Sequence, residues 1–442
     1  MVPEPNELLR LVAPTTLGRR IHAARTAAGL TDADLGLAPV ELADLEHGVR
    51  RPGLATLAAI AERTGASLAV LLTGLTDDEL LDIEGRLDRA ELRVPAVDPA
   101  HAIATADRLL ARLAKAGATA PHLERAARRL RAAALEAAGE LSDAIVELLL
   151  VTAEPLREVR WLEDLISLSR CYRETGDHER AIQVGTERQD VVRELGLDGT
   201  TEAIQLLVTV AAAYIFKGDY RHALRLCLCA AEEADRFGLP VGRASALWNA
   251  SLVKLDQLDP AAALDLALEA LRIYEENGDL RRTGALRAQI ACIELEFEPP
   301  NAASALQHLA LAEPELEWGG AGVIAKARHR LARARAHREL GDPDAAQRAL
   351  DESALLLPPD APGLRAWHSV VLAQLAADRR DFDAAHARLQ DAAQRLTALG
   401  ADSDAGRAWT RLGDTLVQVG EHARAADAYR RAGVSLGLRP SR

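Results

Sequence analysis

Apolar residues recur along this chain at spacings of three and four, the mark of helices that bury one face. Leu412, Leu416 and Val419 form one such run, and Ala425, Ala428, Tyr429 and Ala432 form the next, with Gly420-Glu421 between them. Alternating stretches of Val, Ile, Thr and aromatic residues, which would mark strands, are nearly absent, and aromatics are only 3% of the chain. The pattern predicts an all-α protein. At 442 residues the chain is also too long for one ordinary core, so two or more domains are expected.

A short phrase punctuates the helical pattern. A small or turn residue precedes Asp, Glu or Asn, and an alanine follows four positions after that anchor. The anchors are Glu140, Asp177, Asp219, Asp259, Asn301, Asp342, Asp381 and Glu421, spaced 37 to 42 residues apart. Gly followed by Asp ends one helix and opens a turn, and the alanine leaves room for two helices to cross closely. Each unit is therefore a helix hairpin, and a row of hairpins buries a continuous core that no single one could. The units at Asp259 and Asn301 lack the glycine.

The last unit resembles a tetratricopeptide repeat at Trp409, Leu412, Gly413, Gly420, Ala425, Tyr429 and Ala432. The period near 40, against the usual 34, implies longer helices or connections. The resemblance implies an α-solenoid of about eight helix pairs over residues 100–438, opened by two helices between about 100 and 136, with a concave surface for a ligand.

Residues 1–75 differ in character. Between Thr16 and Gly74 the pattern predicts five short helices. Thr16 is expected to cap the first and Thr31 the second, and Arg51-Pro52-Gly53 forms a turn before a helix from Leu54 to Arg63. The order Leu17-Gly18-Arg19-Arg20-Ile21, Arg25, Gly29-Leu30-Thr31, Leu35, Leu45-Glu46-His47-Gly48, Arg51-Pro52, Leu54, Leu57, Ile60-Ala61 and Leu71-Leu72 resembles the lambda-repressor-like helix-turn-helix family, XRE. The resemblance implies duplex DNA as a partner, bound as a homodimer. Arg19, Arg20, Arg50 and Arg51 would lie on the backbone, with Thr31, Val40, Glu41 and Asp44 at the recognition helix. Two features depart from the family. The stretch from Leu35 to Leu45 is short, so the second helix is truncated or its turn collapsed. The recognition stretch carries Glu41 and Asp44, and residues 16–74 hold six arginines, no lysine and six carboxylates. The alternative is a bundle kept for dimerisation or docking, and a formed helix projecting Val40–Asp44 onto a basic rim would distinguish the two.

Residues 76–99 join the parts. An acidic amphipathic helix is expected with Leu80, Ile83, Leu87 and Leu92 along one side, then a linker over 94–99 with the boundary near Pro95.

The formal net charge of −13 argues against nucleic acid wrapping the whole chain, though not against a local patch. Cys171, Cys227, Cys229 and Cys292 form no CxxC pair and sit beside no His cluster, so buried reduced thiols in a cytoplasmic protein are expected, with no metal and no cofactor. The N-terminus lacks the pattern of a signal peptide, and no apolar run is long enough for a membrane span. GxGxxG, GxxxxGK[ST], HExxH and GxSxG are all absent, and paired acids such as Asp77-Asp78 read as solvated helix faces, so no enzyme is expected.

A helix-turn-helix module ahead of tetratricopeptide repeats resembles the peptide-sensing Rap, Rgg and PlcR group, and implies a transcriptional regulator whose solenoid binds a peptide or protein effector. Asparagines on inner helices commonly grip the ligand in that group. Projecting the repeat onto the first helix of each unit points Arg170, Gln205, Asn249, Arg287, Arg328, Arg335 and Gln374 inward. Asn249 is the single asparagine among them, and the arginines suit a carboxylate. Trp248 and Trp367 lie near the same faces as stacking platforms or as packing residues. The rival function is a protein-interaction scaffold that does not read DNA.

Overall fold

A computed structural model describes residues 4–92, 98–399 and 403–435, and among these every regular element is helical. They form two compact units, Met1–Arg131 and Ala132–Arg442. The boundary expected near Pro95 lies outside the described residues; Asp98, just after it, caps a helix by accepting from the His101 N–H. No helix among the described residues is long and apolar enough to cross a membrane.

The first unit opens with α1 (Pro5–Leu11) and α2 (Pro14–Ala27), each starting at a proline whose missing N–H is no loss in a first turn. Thr16 is therefore inside α2, and Ala13 occupies the cap position. The second element is a single 3-10 turn, Asp32–Leu35, held by a capping box between Thr31 and Asp34. Gly36 then takes a left-handed conformation and Pro39 starts α3 (Pro39–Glu46), leaving no length for a full helix in between. α4 (Leu54–Thr64), α5 (Leu68–Thr73), α6 (Asp77–Leu92) and α7 (Pro99–Lys115) follow. Leu17, Ile21, Leu35, Leu42, Leu57, Ile60 and Leu71 form the buried centre. On α6 the packed side is Ile83, Leu87 and Ala90, whereas Leu92 is 81% exposed, against expectation. Five residues beyond Leu87 at about 100° each put it well off that face.

α8 (Pro121–Ala138) runs across the division, and the second unit continues as hairpins. α9 (Leu141–Thr152) precedes the pair α10 (Val159–Thr175) and α11 (His178–Thr186), followed by the short α12 (Gln189–Glu194). Next come α13 (Thr201–Phe216) with α14 (Tyr220–Phe237), α15 (Pro240–Asp256) with α16 (Pro260–Glu276), and α17 (Leu280–Glu294) with α18 (Ala302–Trp318). The last three pairs are α19 (Val323–Glu339) with α20 (Pro343–Ala354), α21 (Pro362–Asp378) with α22 (Phe382–Leu399), and α23 (Ser403–Gln418) with α24 (His422–Ser435).

The anchors read from the sequence stand at the start of each second helix. The carboxylates of Asp177, Asp219, Asp259, Asp342 and Asp381 accept the N–H three residues on, which satisfies a helix donor that would otherwise lack a partner. The alanines four positions after the anchors, Ala144, Ala181, Ala223, Ala263, Ala305, Ala346, Ala385 and Ala425, are all at most 2% exposed. A larger side chain at any of them would push the paired helices apart.

First helices of neighbouring hairpins pack on each other from α10 to α13 to α15 and again from α17 to α19, α21 and α23, while α15 and α17 share one core cluster, so they make one layer. That layer also meets itself across the superhelix. α10 contacts α21, α13 contacts α23, and Ser142 donates to Asp360 at 2.9 Å. The array thus winds far enough for early and late first helices to touch.

Candidate functional site

Two places can be tested against the sequence reading, each within its own unit. In the bundle, most of the arginines are engaged internally. Arg20 donates to the carbonyls of Leu71 and Leu72 at 3.3 and 2.6 Å, to that of Gly117 at 2.8 Å and to the Thr119 hydroxyl at 3.1 Å. Arg51 donates to Leu9 O and Arg63 to Leu35 O. All three satisfy carbonyls at helix ends, which have no partner within the helix. Burial and the neighbouring Arg19 charge both lower the Arg20 pKa, in keeping with this enclosed position. Arg25 grips Glu46 through two hydrogen bonds of 2.6 and 3.1 Å. Arg20 and Arg51, expected on a DNA backbone, are in this structure helix caps.

Arg51 and Arg63 stay exposed despite these bonds. Arg19 is exposed, with one long contact of 3.4 Å to Thr16. Arg50 is exposed and donates to Glu41 at 3.0 Å. Val40 projects from α3 at 74% exposure. The backbone carbonyl of Asp44 accepts from the N–H groups of Val49 and Arg50, closing the turn after α3. The helix carrying Val40–Asp44 is formed, and of the exposed arginines Arg19, Arg50, Arg51 and Arg63 only Arg19 and Arg50 make no bond to a helix-end carbonyl.

In the second unit, charged side chains of the first helices and their flanking turns form a series of separate ion-pair clusters, together a belt. Arg170 of α10 holds Glu136 of α8 through both carboxylate oxygens, with its Nη2 at 2.9 Å, and also donates to Ser167. Glu174, one turn further along α10, receives Arg328 of α19 at 2.6 Å and Arg173 at 3.0 Å. Glu296, just past α17, receives Arg335 of α19 at 2.8 Å and Arg411 of α23. Gln205 of α13 accepts from Arg282 of α17 at 2.8 Å, and Arg282 also holds Asp279. Arg407 of α23 holds Asp256.

The belt is enclosed and yet reached by solvent: the Arg328 side chain keeps 47% exposure and that of Arg170 30%. Burial alone would raise the Glu174 carboxyl, but Arg328 and Arg173 overcome it and hold it at about 2. The same opposition leaves Glu136 below its ordinary value through Arg170, and Glu296 below its own through Arg335 and Arg411. Arg411 is lowered to about 10 by burial and by its like-charged neighbour Arg335. Pairs of this kind are costly to desolvate and contribute little net stability compared with apolar packing.

No protein-family model matches the chain, and neither does any curated protein. Solved structures do match. A Rap protein complexed with competence and sporulation factor superposes on 87% of this chain and 98% of its own, with a TM-score of 0.55 at 14% identity. The Rap conjugation gene regulator of the plasmid pLS20, in complex with the Phr* peptide, covers 72% of this chain and 95% of its own, with a TM-score of 0.50 at 14% identity. The chain shares their fold.

Within this Rap-like array, the belt takes up Arg170, Gln205, Arg328 and Arg335 of the side chains expected to face inward. Three others lie elsewhere. Asn249 donates to the Ser245 carbonyl of its own helix at 2.9 Å. Arg287 reaches Glu275 on α16 and Glu315 on α18, toward second helices rather than the interior. Gln374 is 7% exposed and packed into α21's surroundings. Trp248 packs edge-on against Tyr274 in a core cluster, and Trp367 is partly buried with Arg411 lying over its ring at 5.7 Å. The projection missed Glu136, Glu174, Arg281, Arg282, Glu296 and Arg411. Arg281 and Arg282 begin α17, where the helix phase is hardest to project. The acids carried no signal beyond being one or two turns from an arginine on the same layer. Cys171, Cys227 and Cys292 are thiols whose pKa burial raises, Cys227 to about 12, which suits inert packing residues; Cys229 is exposed.

Proposed function

We propose that the array is the receptor for a peptide or an extended protein segment, and that the N-terminal bundle is a DNA-binding module of the lambda-repressor-like kind, acting in pairs as a ligand-responsive regulator. The observation that carries the reading is the belt of guanidinium–carboxylate pairs lining the inner helices, enclosed but reached by solvent. A stable scaffold has little use for so many desolvated charges, whereas a peptide backbone with charged ends matches them. The two Rap structures of this fold are described with a bound factor and a bound peptide. In the bundle, Val40 would offer a methyl surface to a base edge from a formed helix, with Arg50, bonded to the adjacent Glu41, and the exposed Arg19 as the phosphate contacts.

A second reading has its own support. The Glu41–Arg50 pair and the capping roles of Arg20 and Arg51 leave the bundle surface with little free positive charge, which favours a protein-docking scaffold. Binding to random-sequence and own-promoter duplexes over a salt series separates the two. The regulator reading expects a preferred sequence, with the salt slope reduced by about 4 for the pair of bundles, about 2 for each, in the Arg19→Ala/Arg50→Ala variant, which leaves the capping arginines intact. Absence of binding at low salt, with and without cell extract supplying a ligand, would leave the scaffold.

A further inference from the structure

At the start of α17 three arginines and two carboxylates meet, and one guanidinium is left over. Arg170 is held by Glu136, and Arg282 by Asp279 and Gln205. Arg281, between them, makes no hydrogen bond or ion pair with any described residue. It is exposed to water, yet it belongs to the enclosed layer: it senses the charges of Arg170 and Glu136, which come from hairpins three and four units earlier. Glu136 and Asp279 act on it only through space and are themselves bonded to Arg170 and Arg282, so no carboxylate is bonded to this guanidinium.

From this geometry we infer that Arg281 is the docking point for a single carboxylate of the bound peptide. The inference rests on the peptide-receptor reading above. A carboxylate fits because the guanidinium fork presents parallel donors to a planar partner, and because one negative charge balances the one charge left over. A phosphate would bring close to two. The carboxylate is supplied either by the peptide's C-terminus or by an acidic side chain.

The test uses the full-length chain, immobilised, and three pools of N-acetylated heptapeptides randomised over neutral residues. One pool ends in a free carboxylate, one is amidated and carries a single Asp, and one is amidated without any acid. Retained peptides are quantified by mass spectrometry for the unaltered protein, Arg281→Gln and Arg281→Lys. The expected result is retention of one carboxylate pool about tenfold above the neutral pool, with the preference erased in Arg281→Gln and weakened in Arg281→Lys, which keeps the charge and loses the fork. Whichever pool is retained identifies the source of the carboxylate. Equal retention of all three pools, or a preference that survives Arg281→Gln, overturns the assignment and leaves the peptide receptor standing. Failure to retain any pool overturns the receptor reading and the assignment together. Should Arg281→Gln not fold, the lysine variant against the unaltered protein still decides.

Discussion

The bundle and the array use arginine for opposite purposes. In the bundle, Arg20, Arg51 and Arg63 end on backbone carbonyls at helix termini, where a long cationic side chain replaces the missing next turn. In the array, Arg170, Arg328, Arg335 and Arg411 end on carboxylates of other helices, and those carboxylates hold pKa values below their ordinary range despite burial. The first use closes small helices that have few other means of satisfying their ends. The second lines an interior with charge that could exchange partners. An arginine in a short-helix bundle is therefore weak grounds for a nucleic-acid contact, while a row of them on the inner layer of a solenoid is better grounds for a ligand.

The largest effect should come from breaking a cap. Arg20→Ala removes four hydrogen bonds and strands carbonyls around the end of α5, a loss of about 4 kcal/mol on charged-donor values. Urea unfolding followed by circular dichroism reads it directly. A loss under 1 kcal/mol would mean that water replaces the guanidinium at no cost, and the contrast with Arg19 and Arg50 would disappear.

The array offers a slightly smaller change with a pH signature. Glu174 titrates near 2 when folded, below its usual value near 4.5, so its contribution is present above about pH 4.5 and is lost as the pH falls toward 2. Glu174→Gln should cost on the order of 3 kcal/mol at pH 7, and the gap to the unaltered protein should close by about pH 2. A gap that stays constant across that range would show that the Glu174–Arg328 contact acts through packing alone.

How much of this was visible in the sequence follows from which forces are local. The turn anchors and their following alanines depend on a helix cap and a close crossing within one hairpin, and a period near 40 repeats them, so the hairpins could be read without any tertiary knowledge. Thr31 was legible for the same reason, since its capping box closes within four residues. Thr16 was not, because Pro14 starts α2 earlier than the threonine suggests. The interior belt was half legible. Arg170, Gln205, Arg328 and Arg335 follow the repeat phase, but their partners come from helices as far as 154 residues away. No periodicity within one hairpin specifies which acid an arginine meets across the superhelix. Arg20 shows the same limit at shorter range: its place between the buried Leu17 and Ile21 hints at packing, while the carbonyls it serves lie 51 and 52 residues on.

The smallest effect separates the two regions by their turns. Both end helices with left-handed residues, but for different reasons. At Gly48 in the bundle a Cβ would lie 2.6 Å from the Thr15 backbone nitrogen, so glycine is required there by space as well as by angle, whereas at Gly29 and Gly65 nothing lies within 4 Å. In the array, a Cβ on Gly218, Gly341 or Gly420 would meet nothing within 4 Å, so only the backbone angle favours glycine. That is why the array can do without it: Leu258 and Arg380 occupy the equivalent turns at φ of 61° and 60°. A left-handed conformation costs a side-chain-bearing residue about 1–2 kcal/mol, part of which glycine gives back through its freer unfolded chain. Leu258→Gly should therefore stabilise the array by about 1 kcal/mol, since the leucine is 88% exposed and loses no packing. Gly218→Ala should cost a similar amount, and Gly48→Ala distinctly more. Thermal melting of the three variants orders them, and equal losses for Gly48→Ala and Gly218→Ala would show that space plays no part in the preference for glycine at position 48.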